Sequence, residues 1–130
     1  MTNAENKKEG GRIYDLEERT AKFGEDIVRF AKKIPVNKVT ERLISQLVGA
    51  GTSVGANYSE ADDAESPDDF RHKIGICKKE AREAKHFFRM IAVAVNEDAD
   101  LIVEARVLWQ EAKELNLIFN SIYSKVKKKR

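Results

Sequence analysis

The stretch QLVGAGTSVGANYSEA, residues 46–61, decides how the rest of the chain can fold. It places Gly49, Gly51 and Gly55 among other small residues, so one side of the segment carries almost no side-chain bulk. Glycine is a poor helix former, by about 1 kcal/mol relative to alanine, and three in one helix require compensating tertiary contacts. The segment is therefore predicted to be a helix that its neighbours approach closely, with Asn57 at an interior position that fixes the register.

The same glycines could be interpreted as a dinucleotide-binding loop. That motif requires a preceding β-strand, with the glycines in the turn that follows it. Here the residues from Leu43 to Val48 continue a helical apolar period instead. The sequence favours the helix.

Apolar residues recur at alternating intervals of four and three along four segments, as they do in bundle helices. The predicted stripes are Leu16, Thr20, Phe23, Ile27, Phe30 and Ile34; then Val39, Leu43, Leu47, Ala50, Val54, Asn57 and Ala61; then Phe70, Ile74, Cys77, Ala81, Ala84, Phe88, Ile91 and Val95; and finally Leu101, Ala105, Leu108, Ala112, Leu115, Phe119, Ile122 and Val126. Asp15, Ser66 and Asp98 are predicted N-caps, and Pro35 is predicted to end the first helix. These patterns predict an all-α fold, an antiparallel up-down-up-down four-helix bundle.

The 130 residues have room for one domain with one core. We expect a disordered N-terminal segment at residues 1–13, the bundle domain at 14–126 and a basic C-terminal tail at 127–130. Cys77 is the only cysteine, which excludes an intramolecular disulfide. No apolar run approaches the length of a membrane span, and no signal peptide is recognisable. A cytoplasmic protein without a membrane segment is expected.

Positive charge is concentrated in two places on a chain whose formal net charge is only +2. The tail cations are Lys125, Lys127, Lys128, Lys129 and Arg130. The third predicted helix carries a second set on one stripe: Arg71, Lys78, Arg82, Lys85 and Arg89. Either set could contact the phosphates of a nucleic acid. Alternatively, the tail is a solvated helix end whose cations complement the helix dipole, and the stripe is a solvated face.

Enzymatic interpretations find little support. The carboxylates between Glu60 and Asp69 could suggest a cation site, but Ser66 and Pro67 followed by acids are typical of a helix start. Glu83 and His86 match half of a di-iron motif that has no second copy in the sequence. A nucleophilic pair of Cys77 with a histidine is disfavoured, because the cysteine belongs to an apolar stripe. We therefore expect no enzyme activity, no metal and no cofactor.

Four pieces of the chain carry a resemblance to a known family. They are DLEERTAKF at 15–23, QLVGAGTSVGANYSEA at 46–61, SPDDF at 66–70 and KKEAREAKHFF at 78–88. The chain resembles, from residue 15 to about residue 127, the four-helix bundle proteins encoded in intervening sequences of bacterial 23S ribosomal RNA. It departs from that pattern at Gly49 and Ala50, where relatives usually have Arg then Ser, and at His86 and Phe87, where Tyr then Trp is common.

The resemblance implies a ring-like homopentamer without known enzymatic activity. It also implies a relation to the accessory variability protein of diversity-generating retroelements, which binds nucleic acid and a reverse transcriptase. Arg19, Asn57 and Glu80 match polar positions of the family and are expected to form structural hydrogen bonds within or between subunits. The leading hypothesis is an oligomer that binds RNA or DNA through its basic patches, with structured RNA as the expected ligand. The alternative is a protein-interaction scaffold or accessory subunit, for example for a reverse transcriptase.

Overall fold

The computed structural model of the protein describes residues 15–126. These residues form α1 (Leu16–Lys32), α2 (Lys38–Asp62), α3 (Pro67–Ala94) and α4 (Ala99–Lys125), and no strand occurs among them. The predicted N-terminal segment, Tyr14 and the tail at 127–130 lie outside the described residues. The all-α prediction is confirmed.

The helices begin where side chains satisfy their first free backbone N–H groups. The three predicted N-caps are confirmed: Asp15, Ser66 and Asp98 each accept a hydrogen bond from the backbone N–H three residues later. At the start of α2, Asn37 accepts hydrogen bonds from two backbone N–H groups while Thr40 Oγ1 accepts one from the Asn37 N–H. This reciprocal capping box fixes the rotation of the first turn of α2.

The end of α1 was predicted at Pro35, and the structure places it earlier, at Lys32. Proline restricts the residue before it to extended conformations, so Ile34 leaves the helix before the proline is reached. Helix α3 stops at Ala94, four residues before the predicted N-cap Asp98.

The four helices pack as an antiparallel bundle. Arg19, near the start of α1, bonds Glu111 near the middle of α4, whereas Lys33, just past the end of α1, bonds Glu104 near the start of α4. Short turns join consecutive helices, so each also runs antiparallel to the next one. Packing is most extensive between α2 and α3 and between α3 and α4, and it is least extensive between α1 and α4.

The core is built from the predicted stripes. Those of α1, α3 and α4 are buried except for Phe70, Ile122 and Val126, which are half-buried. Phe88 of α3 contacts two rings of α1: its ring centroid lies 6.5 Å from that of Phe23 and 5.9 Å from that of Phe30. This aromatic cluster joins the two helices across the middle of the bundle.

The predicted stripe of α2 is wrong at two positions. Val39 is 63% exposed, and the next residue, Thr40, is buried instead. The Thr40 hydroxyl is held inward because it donates a hydrogen bond to the Pro35 carbonyl. Asn57 is half-buried, and its side-chain amide donates to the Ser53 carbonyl and hydroxyl oxygens of the same helix. Asn57 therefore makes no hydrogen bond to another helix in the described chain.

The glycines of α2 do not all serve the same contact. A Cβ atom on Gly51 would overlap the end of the buried Ile27 side chain of α1, and one on Gly55 would lie 3.3 Å from the Thr20 carbonyl oxygen. A Cβ on Gly49 would meet nothing within 4 Å. The predicted close approach therefore involves Gly51 and Gly55 against α1, while Gly49 faces open space.

Two alanine substitutions distinguish the effect of close packing on stability from the effect of helix propensity. Gly49→Ala is expected to raise the free energy of unfolding by up to about 1 kcal/mol, because alanine is the better helix former and has room. Gly51→Ala is expected to lower it by about 1–2 kcal/mol, because overpacking against Ile27 outweighs the same propensity gain. Urea denaturation followed by circular dichroism measures both. Equal stabilisation by the two alanines would contradict the close approach of α1 and α2 at Gly51.

Candidate nucleic-acid interface

The five cations predicted on α3 share one side of the helix, and the structure places that side next to α4. Arg82 and Arg89 are exposed and have no ion-pair partner among residues 15–126. Arg71, Lys78 and Lys85 are half-buried because their side chains lie against aromatic rings of α4. The stripe is therefore partly packed, and the prediction of a simple solvated face does not describe it.

Arg71 holds the end of α4. Its guanidinium lies 3.8 Å from the centroid of the Tyr123 ring and donates to the Tyr123 hydroxyl at 2.9 Å and to the Val126 carbonyl at 3.0 Å. The Tyr123 ring fits against Gly75, where a Cβ atom would come within 3.0 Å of it. A cation over an aromatic ring and a cation at a helix C-terminus are both favourable. Arg71 therefore stabilises the packing of the end of α4 against α3.

Lys78 lies two helical turns after Arg71 on the same stripe of α3. Its amine lies 4.3 Å from the Tyr123 ring centroid and 3.3 Å from Oδ1 of Asn120. The Lys78 backbone carbonyl accepts a hydrogen bond from Asn116 Nδ2 at 2.8 Å. Two asparagines of α4 thus line the row without adding negative charge.

The other end of the row is organised around Trp109. The amines of Lys85 and Lys113 lie 5.8 Å and 5.6 Å from the centroid of the ring that they approach, within the range of cation–π attraction. Arg106, one turn before Trp109 on α4, is exposed and has no ion-pair partner in the described chain. Both helices therefore contribute positive charge here.

We call this surface the α3–α4 cationic face. It consists of Arg71, Lys78, Arg82, Lys85 and Arg89 of α3 and Arg106, Trp109, Lys113 and Tyr123 of α4. Arg82 also borders the α2 side of α3, where it lines a cavity with Glu83 and Gln46. Cations grouped on one surface can attract a chain of phosphates electrostatically, and the half-buried Trp109 ring leaves part of an aromatic surface open.

The sequence analysis missed the contribution of α4. A second series of residues lies beside the apolar stripe of α4 and recurs at intervals of three and four: Arg106, Trp109, Lys113, Asn116, Asn120 and Tyr123. That second register is a recognisable signal, but which neighbour it faces depends on how the helices pair. Of the predicted tail cations, Lys125 is exposed, and Lys127, Lys128, Lys129 and Arg130 lie outside the described residues.

The three family polar positions differ in what they contact. Arg19 donates to Glu111 and Glu114 of α4 at 2.7–2.9 Å, and the hydrogen bond to Glu111 raises the pKa of Arg19. Asn57 bonds within its own helix, as described above. Glu80 receives no hydrogen bond within the described chain. Its pKa is raised, mainly by burial and to a smaller extent by the negative charge of Glu83. The expected hydrogen bond of Glu80 is thus not made inside residues 15–126.

The residues that the sequence offered for catalysis or metal binding do not form a site. Cys77 is fully buried, and burial raises the pKa of its thiol to about 12, so it stays protonated at neutral pH. Glu83 and His86 are exposed. Within residues 15–126, no three His, Cys, Asp or Glu side chains converge in a group that could hold a metal ion. In the same part of the chain, no helix is both long and apolar enough to cross a bilayer.

The fold and this surface define a class of protein, an all-α four-helix bundle with a cationic, aromatic-lined face between its last two helices. Residues 14–97 match the family model described as 23S rRNA-intervening sequence protein. The chain belongs to that family, as the sequence resemblance predicted.

A solved structure from Bacteroides thetaiotaomicron supports the assignment. It is described as a protein with unknown function from the S23 ribosomal protein family and is 25% identical to this chain. The alignment covers 85% of this chain and 99% of that one, with a TM-score of 0.70. None of the curated proteins compared with the chain matches it.

Proposed function

We propose that the protein is a non-enzymatic, cytoplasmic nucleic-acid-binding protein whose ligand is structured RNA. The observation that carries this proposal is the α3–α4 cationic face, where cations from two helices border two aromatic rings. The family description, 23S rRNA-intervening sequence protein, associates the family with ribosomal RNA without naming a ligand. Ribosomal RNA is rich in folded helices and loops.

The exposed arginines are the groups that would bind phosphate. Arg82, Arg89 and Arg106 have no ion-pair partner in the described chain, so binding phosphate breaks no ion pair among those residues. Arginine matches phosphate geometry with two parallel hydrogen bonds. Recognition would depend mainly on charge and shape, because the row presents few groups suited to reading base edges in a helix.

The tail cations and self-association would extend this surface. Lys125 precedes Val126, and Lys127, Lys128, Lys129 and Arg130 follow it. The Val126 carbonyl accepts a hydrogen bond from Arg71 at one end of the face. We propose a homopentamer, as the family resemblance implies, in which five copies of a weak site act together on one RNA. The half-buried off-stripe residues Phe87 and Ile118 offer apolar area for such contacts.

The test is fluorescence anisotropy of a labelled RNA hairpin titrated with the full chain between about 50 and 200 mM salt, where phosphate-driven binding weakens steeply. We expect tight binding at low salt and a linear fall of log affinity with log salt. A chain ending at Val126, which keeps the Arg71 contact, should bind more weakly and with a shallower slope. Absence of binding at about 50 mM salt would overturn the proposal.

A second candidate, a protein-interaction scaffold or accessory subunit, is favoured by one separate observation. Val103, Val107 and Leu117 of α4 are 60%, 63% and 56% exposed, an unusual amount of apolar surface for one helix. If these residues contact another protein, such as a reverse transcriptase, that complex should form without RNA and persist at high salt. If the protein does not bind RNA but forms a salt-resistant complex with another protein, this function is favoured over RNA binding.

A further inference from the structure

An open cleft lies on the α3–α4 cationic face beside Trp109. Its volume is about 300 Å³, at the lower end of the range for small-molecule sites. The lining residues are Phe88, Arg89, Ala92, Ala105, Arg106 and Trp109. Phe88 and Ala105 are buried, so the floor of the cleft is apolar.

Two arginines on different helices stand at this cleft. Arg89 comes from α3 and Arg106 from α4, and both are exposed and unpaired in the described chain. An apolar floor between two free guanidinium groups suits a ligand with a flat, weakly polar body and an attached anion. A purely apolar ligand would leave the arginines unused, and a simple anion would leave the floor exposed to water.

Trp109 contributes an aromatic wall to the cleft. Its side chain is half-buried, so part of the ring stays accessible from the cleft. The indole Nε1 is buried and has no hydrogen-bond partner within residues 15–126, so a ligand meets the ring and not this N–H group. An accessible aromatic surface suits a flat ligand that can stack on it.

We infer that the Trp109 cleft accepts one unpaired nucleotide of the bound RNA. The base would lie against the indole and the apolar floor, and its phosphate would bind Arg89 and Arg106. Unpaired bases in loops and bulges stack on aromatic side chains, whereas the bases of a regular duplex stay stacked on each other. This inference rests on the proposed function and narrows its ligand to RNA with an unpaired nucleotide.

The test compares two labelled hairpins that differ only in one unpaired adenosine in the stem. The full chain is expected to bind the bulged hairpin about fivefold more tightly or better, as base stacking on an aromatic side chain contributes. Trp109 is the only tryptophan, so its fluorescence reports occupancy directly. The bulged hairpin should quench it more than the paired hairpin does.

Variants separate the cleft from the rest of the face. Trp109→Leu should abolish the preference, so that the bulged and the paired hairpin bind with equal affinity. Trp109→Phe keeps a ring and should retain part of the preference, which guards against a folding defect in the leucine variant. Tyr58→Leu changes a half-buried aromatic residue of α2, outside both the cleft and the face, and should leave the preference intact.

The outcomes distinguish the two proposals. Equal affinity for both hairpins, with equal quenching, would overturn the inference about the cleft and leave RNA binding by the face in place. A preference that survives Trp109→Leu would also overturn it. Failure to bind either hairpin at low salt would overturn the proposed function, and the inference with it.

Discussion

Replacing Phe88 with alanine is expected to lower the free energy of unfolding by about 3–5 kcal/mol. The Phe88 side chain is 1% exposed, and its ring contacts those of Phe23 and Phe30. Truncation removes these contacts and leaves a cavity that the surrounding helices can fill only in part. Small domains have a total stability of about 5–15 kcal/mol, so the loss would be a large fraction of it.

Urea denaturation followed by circular dichroism would measure this change, with Phe87→Ala as the matched control. Phe87 is the adjacent residue and is half-buried, so its loss should cost about 1 kcal/mol. If the Phe88 alanine variant does not fold, Phe88→Leu should still fold with a smaller loss. Similar losses at both positions would contradict the central role of the Phe88 cluster.

Reversing three charges on the α3–α4 cationic face is expected to weaken RNA binding by at least about 100-fold. The variant is Arg82→Glu, Arg89→Glu and Arg106→Glu in one chain. Each arginine can make a charge-assisted hydrogen bond worth about 1.5–3 kcal/mol, and each 1.4 kcal/mol corresponds to tenfold in affinity. Glutamates would add repulsion of the phosphates. All three side chains are exposed, so the fold should be retained.

The matched control reverses Lys32, Lys38 and Arg42, which are also exposed but belong to α1 and α2. Net charge changes by the same amount in both variants, so long-range repulsion is equal. Anisotropy titrations should show a clearly smaller loss for the control. Equal losses would show that RNA is attracted by overall charge and not by the α3–α4 cationic face.

The sequence contained most of the fold because helix starts and stripes are local signals. The caps at Asp15, Ser66 and Asp98 depend on one side chain and a backbone group three residues away. The stripe of α2 was less accurate, since its small residues give a weak apolar signal. There the capping hydrogen bonds of Thr40 decided which side of the first turn faces inward.

The candidate interface was only half predictable. The spacing of Arg71, Lys78 and Lys85 placed them on one stripe, but a stripe does not reveal its neighbour. Their packing on Tyr123 and Trp109 depends on how α3 and α4 are rotated against each other. The Trp109 cleft likewise exists only once two helices meet, so no single segment carries its signal.

The uneven packing around the bundle has a consequence for its motions. The α1–α4 boundary has the least extensive packing and is bridged by partly exposed ion pairs, including those of Arg19 and Lys33. Such pairs hold helices weakly, so transient breathing of the bundle should begin along that line and expose amides there first. The α3–α4 boundary is closely packed and should stay closed during such openings. The surface proposed to bind RNA thus lies at the closely packed boundary of α4, and the loosely packed boundary of the same helix can open without separating α3 from α4.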